Sequence, residues 1–400
     1  MERARGQLLK VSLTTIINAL GATIFTYVLS LKLLAVTGSA IGYGVSIFIG
    51  PVVGMVFAPI IGKVIDTYSK KRIAILAEIG LIISLTVFLE LYPYVQEHLL
   101  YVAIIFTCFN NLCARFFTIS YLSSAPDLVR KSQLQRLNVV QTTGVAITNM
   151  LALPIAGFLY GLIPFEKLIY IEITTELLTL LLTKRTSFKR QTGSSSLNVS
   201  DKTNIVSILN THVSLLELII VVMVLNFAIT SIEIGVPYTI VSVLKESTTI
   251  SGNVQGLFSL GIVIGGGVIS IIDLKDVLVF TRRIYNIFTT MMVIFGISIY
   301  FLPNYTVKIF AIFELTLGFM TAISDPPLFT YIQREIPREY LGRVNTYLYT
   351  SVQLLTPLGV AVYSALFEVF SYQQVYLISG IFVLLVVFLV NRVHFWIRLD

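Results

Sequence analysis

Ionisable residues lie inside the long apolar runs of this 400-residue chain, among them Glu78, Arg115, Glu233 and Glu314. A charged side chain is costly inside a bilayer unless it is paired or reached by water, and such groups mark ion pathways and proton relays. A carboxyl group in a partly dry cavity can bind and release a proton, because desolvation disfavours its charged form. Glu233 and Glu314 are therefore candidates for reversible proton binding. The alternative is that both lie near the surface and are simply solvated.

Glu78 and Arg115 lie at nearly equal depths, each roughly two helical turns from the same-side end of its apolar run. The matching depths indicate that the two side chains can neutralise one another, either within a polar cavity or only as a structural ion pair. Glu172 and Glu176 form a second acidic set, and their four-residue spacing places both on one face of a helix.

The composition indicates that membrane-spanning helices position these groups. Apolar residues make up 56% of the chain, charged residues 12%, and the mean hydropathy is +0.87. A membrane-spanning helix needs roughly 20 apolar residues to cross about 30 Å of hydrocarbon. The sequence predicts twelve such helices and no barrel strands, at 10–32, 41–62, 73–92, 99–122, 137–161, 165–183, 214–240, 253–273, 280–302, 306–328, 344–368 and 372–391.

The distribution of basic residues predicts the orientation. With twelve spans and both termini on one side, 23 of the 28 Lys and Arg fall on that side. The positive-inside rule then places both termini in the cytoplasm. The net charge of +7 is explained by attraction to anionic membrane lipids, so we expect no nucleic-acid partner. The first apolar run is predicted to be a retained span.

Two similar phrases, Leu134–Asn138 (LQRLN) and Leu341–Asn345 (LGRVN), occur 207 residues apart and indicate a duplicated unit. The longest polar stretch, 184–213, contains a Gly-Ser-Ser-Ser run and reads as a cytoplasmic linker. We therefore predict an N-terminal six-helix bundle at 1–183 and a C-terminal one at 214–400. An even number of spans in each half makes the halves parallel repeats.

The loop from Gly62 to Arg72, with Gly, three residues, Asp and then a basic cluster, resembles the signature loop of the major facilitator superfamily. The segment Ile332–Val344, followed by Pro357-Leu358-Gly359, is similar to macrolide-efflux-like drug:proton antiporters of that superfamily, as is Thr37–Ala40. The resemblance covers nearly the whole chain. It implies an all-α membrane protein of two pseudo-symmetric six-helix bundles that transports its substrate by alternating access.

In the fold that this resemblance implies, spans one, four, seven and ten line a central cavity. One polar group then comes from each lining span: Asn18, Arg115, Glu233 and Glu314. Span six is peripheral in that fold, so Glu172 and Glu176 rank below them. Many family members carry an acidic residue beside the glycine of span one, whereas Ala22 follows Gly21 here.

The charges around the signature loop are candidates for a latch that breaks and re-forms during transport. Gly62 ends a stripe of small residues at four-residue spacing (Ser46, Gly50, Gly54, Ala58, Gly62), which permits close helix approach. We predict that Asp66 pairs with Arg343, and that Arg72 pairs with Asp127. Arg136 begins a helix as Arg343 does, where the helix dipole alone does not favour a cation. The alternative is that all these charges only fix the membrane topology.

Span five contains Leu153–Phe158 (LPIAGF), which resembles a degraded antiporter motif. Pro154 frees a backbone carbonyl and permits a bend, while Gly157 permits tight helix packing. The resemblance favours export over import. The alternative is a purely structural role for this proline, since prolines are tolerated in many membrane helices.

These observations predict proton-coupled efflux of amphipathic small molecules from a bacterial cytoplasmic membrane, by a monomer that needs no cofactor. The 26 Phe and 20 Tyr suit an apolar substrate, although most such rings face lipid or other helices. An exporter or flippase of lysolipid, siderophore or peptide is the close alternative, and a membrane enzyme or receptor a distant one. There is no nucleotide-binding P-loop, so we expect the proton gradient to supply the energy. Three scattered histidines predict no metal site: His98, His212 and His394.

Overall fold

The fold is described from a computed structural model over residues 2–128, 134–186, 188, 213–272, 276–335 and 355–397. These residues form twelve α-helices and no β-strand, which confirms the predicted all-helical architecture. The helices are α1 (Glu2–Thr37), α2 (Ala40–Thr67), α3 (Lys70–Leu91), α4 (Leu99–Leu128), α5 (Leu134–Leu162), α6 (Phe165–Arg185), α7 (Val213–Pro237), α8 (Thr248–Ser270), α9 (Val277–Phe301), α10 (Thr306–Glu335), α11 (described over Leu355–Val369) and α12 (Tyr372–Ile397).

Within the described residues, nine helices are long and apolar enough to cross a membrane: α1 to α4, α7 to α10 and α12. The stretches Ile147–Leu162 of α5 and Leu355–Val369 of α11 are apolar but shorter. Helix α6 is 21 residues long and carries Glu172 and Glu176 in its middle. It is therefore less uniformly apolar than the others.

The turn between α1 and α2 shows how local chemistry sets helix boundaries. Gly38 adopts φ +65°, a left-handed conformation that glycine adopts without steric cost, and its N–H donates to Leu34 O at 2.8 Å. Ser39 then caps α2, because its side chain accepts a hydrogen bond from the Ile41 N–H at 3.0 Å. A two-residue connection of this kind makes α1 and α2 antiparallel neighbours.

The chain divides into two compact units. Unit 1 comprises Met1–Leu197 and Glu246–Gly256, and unit 2 comprises Asn198–Lys245 and Leu257–Asp400. The beginning of α8 thus groups with unit 1, although the sequence assigns it to the C-terminal bundle. Most of the predicted linker at 184–213 lies outside the described residues, and the predicted domain boundaries stay predictions.

The two units repeat the same helix-packing pattern. In unit 1, α3 packs against α4 and α6, and α1 packs against α6. In unit 2, α9 packs against α10 and α12, and α7 packs against α12. The second set follows from the first by adding six to each helix number. This is the packing that a duplicated six-helix unit would have.

Aromatic rings form part of the core in each unit. In unit 1, Phe88 stacks on Phe106 with ring centroids 4.4 Å apart. In unit 2, Phe295 stacks on Phe313 at 3.8 Å. Phe88, Phe106, Phe295 and Phe313 are all buried. Large stacked rings fill the space between helices of each unit with dispersion contacts, which do not depend on exclusion of water and so remain effective inside a bilayer.

Two lysines at the start of α3 bind backbone carbonyls of neighbouring helices, Lys70 within the last two turns of α4 and Lys71 at the C-terminal end of α6. Lys70 Nζ donates to Ser123 O of α4 at 2.8 Å. Lys71 Nζ donates to Lys184 O and Thr186 O at the end of α6, at 2.9 and 2.7 Å. A cation at a helix C-terminus satisfies unpaired carbonyls and complements the helix dipole. The basic residues of the signature loop therefore also hold α3, α4 and α6 together.

We expect Arg282→Gln to lower the free energy of unfolding by about 3 kcal/mol, because removing one partner of a largely buried ion pair is strongly destabilising. Arg282 Nη2 lies 2.5 Å from Glu217 Oε2, and the Glu217 side chain is only 7% exposed. Thermal unfolding of the purified protein measures the change. The neighbouring Arg283 on α9 is exposed, so Arg283→Gln is the matched control and should change stability by less than about 0.5 kcal/mol. Equal melting temperatures for the two variants would contradict a stabilising role for the pair.

Candidate functional site

In unit 2, the structure brings two of the predicted carboxyl groups together. Glu233 of α7 and Glu314 of α10 are near enough to interact electrostatically. The Glu314 residue is 5% exposed, whereas Glu233 is exposed. The pair thus consists of one accessible and one buried carboxyl group.

An aromatic cluster borders the buried member of this pair. Tyr376 of α12 is 1% exposed and interacts electrostatically with Glu314. Its hydroxyl lies near Thr239, in the π-helical turn Tyr238–Val243 that follows α7. The Tyr376 ring contacts three phenylalanine rings, at centroid distances of 5.1, 5.5 and 5.6 Å: Phe295, Phe310 and Phe367. Glu314 therefore lies beside a tightly packed apolar wall. Sequence reasoning did not single out Tyr376, since nothing distinguishes it from the other tyrosines.

Unit 1 contains a second and larger acidic cluster. Glu78 of α3 is 0% exposed, Glu176 of α6 is 2% exposed and Glu172 of α6 is 5% exposed. The three carboxyl groups interact with one another. Asn18 of α1 donates through Nδ2 to Glu176 Oε2 at 3.3 Å, and Thr175 Oγ1 donates to Glu172 Oε2 at 3.0 Å. Helices α1, α3 and α6 thus meet around three buried carboxyl groups.

The sequence ranks Glu172 and Glu176 low because the resemblance makes span six peripheral, but the structure turns both side chains inward. Gly21 of α1 makes room for this face of α6. A Cβ atom at position 21 would overlap the carboxylate of Glu172 and the hydroxyl of Thr175. The four-residue spacing of the two glutamates correctly predicts that they share a face. It does not indicate where that face points.

Arg115 does not pair with Glu78. Its guanidinium instead lies against α2, where a Cβ atom at Gly54 would be 3.1 Å from Arg115 Nε. The Asn111 side chain, one turn earlier on α4, lies against Gly50 in the same way. Two glycines of the predicted small-residue stripe thus accommodate polar side chains of α4. The predicted ion pair is wrong because equal depth along two helices does not fix the direction of either side chain.

For most of the predicted latch residues, the side chain is not among those that the structure describes. Asp66, Asp127 and Arg136 occupy positions on α2, α4 and α5, but their side chains fall outside the described set. Arg343 falls outside the described residues altogether. The pairing of Asp66 with Arg343 therefore stays a prediction.

The other two latch residues are described. Arg72 is exposed on the first turn of α3. Gly62 is partly exposed, and a Cβ atom placed there would meet no atom within 4 Å among the described residues. Space for a close neighbour is thus available at Gly62. The pairing of Arg72 with Asp127 also stays a prediction.

The predicted motif of span five packs closely against the beginning of α8. A Cβ atom at Gly157 would be 3.3 Å from Gly252 Cα and would overlap Thr248 O. Thr248 Oγ1 donates to Gly157 O at 3.0 Å. The ring of Pro154 lies against Gly256, where a Cβ atom would be 2.6 Å from Pro154 Cγ. Backbone therefore touches backbone along this contact.

Hydrogen bonds join the same part of α8 to α1. Gln255 Nε2 donates to Tyr27 Oη at 2.7 Å, and the Tyr27 and Ser251 hydroxyls are 2.9 Å apart. Tyr27 is 4% exposed and Ser251 is 0% exposed. These buried polar contacts explain why Glu246–Gly256 belongs to unit 1.

Comparisons with solved structures reveal membrane transporters of the same fold. A bacterial homologue of the iron transporter ferroportin, in an inward-facing state, aligns with TM-score 0.77 at 15% identity, over 96% of this chain and 98% of that chain. A mutant of the nucleoside transporter NupG aligns with TM-score 0.71 at 14% identity, over 96% and 99%. A POT family transporter in complex with 5-aminolevulinic acid aligns with TM-score 0.71 at 9% identity, over 97% and 96%. At these identities the likeness shows the fold.

Sequence comparisons define the family. No curated protein matches the chain. The family model of the Major Facilitator Superfamily matches residues 11–359, which is most of the chain. Together with the membrane-length helices, this match shows that the chain is an integral membrane transporter and belongs to the Major Facilitator Superfamily.

Proposed function

We propose that this transporter exports amphipathic small molecules in exchange for protons, as a monomer in the bacterial cytoplasmic membrane with both termini in the cytoplasm. The observation that carries the proposal is the Glu233–Glu314 pair, in which an accessible carboxyl group lies near a buried one. The macrolide-efflux-like motifs around Pro357-Leu358-Gly359 favour a drug-like substrate. The efflux branch, the substrate class and the coupling ion are all part of this proposal.

The pair has the properties that a proton carrier needs. Two ionised carboxylates that interact across a partly apolar site repel one another, so a proton on one of them is favoured. Glu233 is exposed, whereas Glu314 beside Tyr376 is shielded. In the proposed mechanism Glu233 exchanges the proton with water that enters the transport cavity. A change in water access to the pair would then change its proton occupancy. Coupling follows if the substrate binds preferentially to one occupancy state.

The surroundings of the pair suit a substrate with an apolar body. Tyr376 and its phenylalanine neighbours present ring faces and edges beside Glu314. Aromatic walls bind apolar surfaces without strict shape requirements, and ring faces also attract cations. An ionised glutamate adds a preference for positive charge. A hydrophobic organic cation therefore fits this chemistry better than an anion.

Everted membrane vesicles provide the test, with ethidium as the probe and respiration as the source of the proton gradient. We expect vesicles containing this protein to accumulate ethidium, and a proton ionophore to abolish the accumulation. A pH gradient equivalent to 100 mV supplies about 2.3 kcal/mol per proton, which corresponds to an accumulation ratio of about 50 when one proton is exchanged for one ethidium cation. Accumulation that survives collapse of the gradient would contradict proton coupling. A panel that adds a macrolide, a lysolipid, a siderophore and a peptide distinguishes drug export from the alternative substrates.

A further inference from the structure

We propose that Glu78, Glu172 and Glu176, with Asn18, form a second proton-binding site buried inside unit 1. This site is separate from the Glu233–Glu314 pair of unit 2 and lies on helices α1, α3 and α6. Its use in coupling rests on the proposed function, whereas proton binding by the cluster does not.

The positions of these groups put them well inside the helices. Glu78 follows the first residue of α3 by eight positions, or about 12 Å along the axis. Glu176 precedes the last residue of α6 by nine positions, or about 14 Å. Because Lys71 binds the end of α6 from the start of α3, the two helices are in register at that end. The carboxyl groups of Glu78 and Glu176 are thus at one level and near enough to share a hydrogen bond.

Glu78 lacks the partners that a buried carboxylate requires. Its residue is 0% exposed, and neither Oε1 nor Oε2 accepts a hydrogen bond from a protein donor. The nearby polar groups are other carboxyl groups, on Glu176 and Glu172. An ionised carboxylate left in this state would be strongly destabilising. A proton placed between Glu78 and Glu176 removes one negative charge and converts a repulsion into an O–H···O hydrogen bond.

Protein cations do not supply the missing charge. In the described part of the chain, no lysine, arginine or histidine is paired with the three glutamates. Arg115 of α4 lies against Gly54, and Lys32 of α1 lies over the Tyr92 ring. Among the same residues, no group of three His, Cys, Asp or Glu has the arrangement of a metal site. A proton fits this cluster, because it neutralises one of three carboxylates that interact with one another.

The other titratable groups that face the cluster from the packed helices are neutral. Tyr121 of α4 interacts electrostatically with Glu78. Cys113 lies about two turns before Tyr121 on α4, with its Sγ against Gly80. From α1 the polar contact is the Asn18 amide, and α2 and α5 place no titratable group in interaction with the three glutamates within the described residues. Within the described residues, no charged neighbour therefore competes with a proton for these carboxyl groups.

Buried hydroxyl groups of α4 and α6 lie between the cluster and the end of unit 1 at which α6 ends. The Tyr121 and Thr183 hydroxyls are 2.8 Å apart, and the Tyr121 hydroxyl lies near those of Thr14 and Thr186. Thr186 is the residue at which α6 ends. Hydroxyl groups both donate and accept hydrogen bonds, so these side chains form a polar path from the neighbourhood of Glu78 toward the end of α6.

Infrared difference spectroscopy tests proton binding directly. The full-length protein carrying Glu233→Gln and Glu314→Gln is the background, so that the pair in unit 2 is silent. Spectra are compared between about pH 5 and pH 9, the range in which perturbed carboxyl groups titrate. We expect the carbonyl stretching band of protonated carboxyl groups to lose intensity as the pH rises. Adding Glu78→Gln or Glu176→Gln should each remove about half or more of that titrating intensity, because the two groups titrate as a unit.

The matched control is Glu90→Gln, which changes an exposed glutamate on the same helix as Glu78. It should leave the titrating band unchanged. Glu172→Gln provides a third variant if Glu78→Gln does not yield folded protein, as judged by its melting temperature. A band that does not titrate, or one that the cluster variants reduce no more than Glu90→Gln does, would overturn the proposal. Because the background is silent at Glu233 and Glu314, neither outcome depends on the proposed efflux activity.

Discussion

Replacing Glu314 by glutamine is expected to abolish gradient-driven accumulation of ethidium, reducing the ratio from about 50, at a pH gradient equivalent to 100 mV, to about 1. Glutamine keeps the size of the side chain but cannot bind and release a proton. Glu314 is the buried member of the pair in unit 2, so its replacement removes the shielded proton position beside Tyr376. Ethidium fluorescence in energised everted vesicles measures the effect.

Two further variants make this result specific. Glu233→Gln should also lower accumulation, because Glu233 is the accessible partner through which the proposed site exchanges protons with water. Glu246→Gln changes an exposed glutamate outside the pair and should leave accumulation unchanged. Downhill exchange of ethidium without a gradient should persist in Glu314→Gln, since the coupling is lost and the substrate path is not. Uphill accumulation by Glu314→Gln at the wild-type level would show that the coupling proton is carried elsewhere.

The helices were predictable because the bilayer imposes a simple requirement on each of them. A run of about 20 apolar residues has few alternatives to a spanning helix. The positions of Gly38 and Ser39 at the first turn follow from equally local chemistry. The duplication was also predictable from the sequence. The packing of α1, α3, α4 and α6 recurs among α7, α9, α10 and α12, which agrees with it.

The directions of the polar side chains were less predictable, for a physical reason. In a soluble helix the polar face points to water, so amphipathicity marks which side is buried. In a bilayer both the lipid-facing and the protein-facing sides are apolar, so periodicity shows that Glu172 and Glu176 share a face without orienting it. Gly21 was the available signal, because it leaves space on α1 for that face.

Arg115 and Glu78 show the same limit, because the sequence predicted a contact between them that the structure does not contain. Their depths match, but depth specifies only one of the two coordinates of a side chain on a helix. Gly54 on α2 provides the space that Arg115 occupies, while Glu78 turns toward α6. Glycine positions on neighbouring helices therefore carry directional information that charge patterns lack, since each marks a place where a large side chain or a second backbone can approach.

The contact between α5 and the beginning of α8 leads to the second large prediction. Gly157→Val is expected to reduce ethidium transport by about 5-fold to about 150-fold, because overpacking a tight contact costs about 1 to 3 kcal/mol and forces backbone shifts. The added Cβ atom would meet Thr248 O and Gly252 Cα, and backbone atoms cannot rotate away as a flexible side chain can. Gly252→Val should have the same effect, since its Cβ atom would meet Leu153 O and Gly157 Cα from the other side of the contact. Initial transport rates and melting temperatures measure both variants.

Gly161 provides the matched control for this contact, because it lies one turn after Gly157 on the same face of α5. A Cβ atom at Gly161 would be 3.7 Å from Thr248 Oγ1, an ordinary van der Waals distance. Gly161→Ala should therefore keep transport within about twofold of wild type, since surface-like changes cost less than about 0.5 kcal/mol. Gly157→Ala tests the same position with the smallest possible side chain and should already reduce transport. Equal transport by Gly157→Ala and Gly161→Ala would show that close approach of α5 and α8 is not required, and that Gly157 reflects only the general preference for small residues in membrane helices.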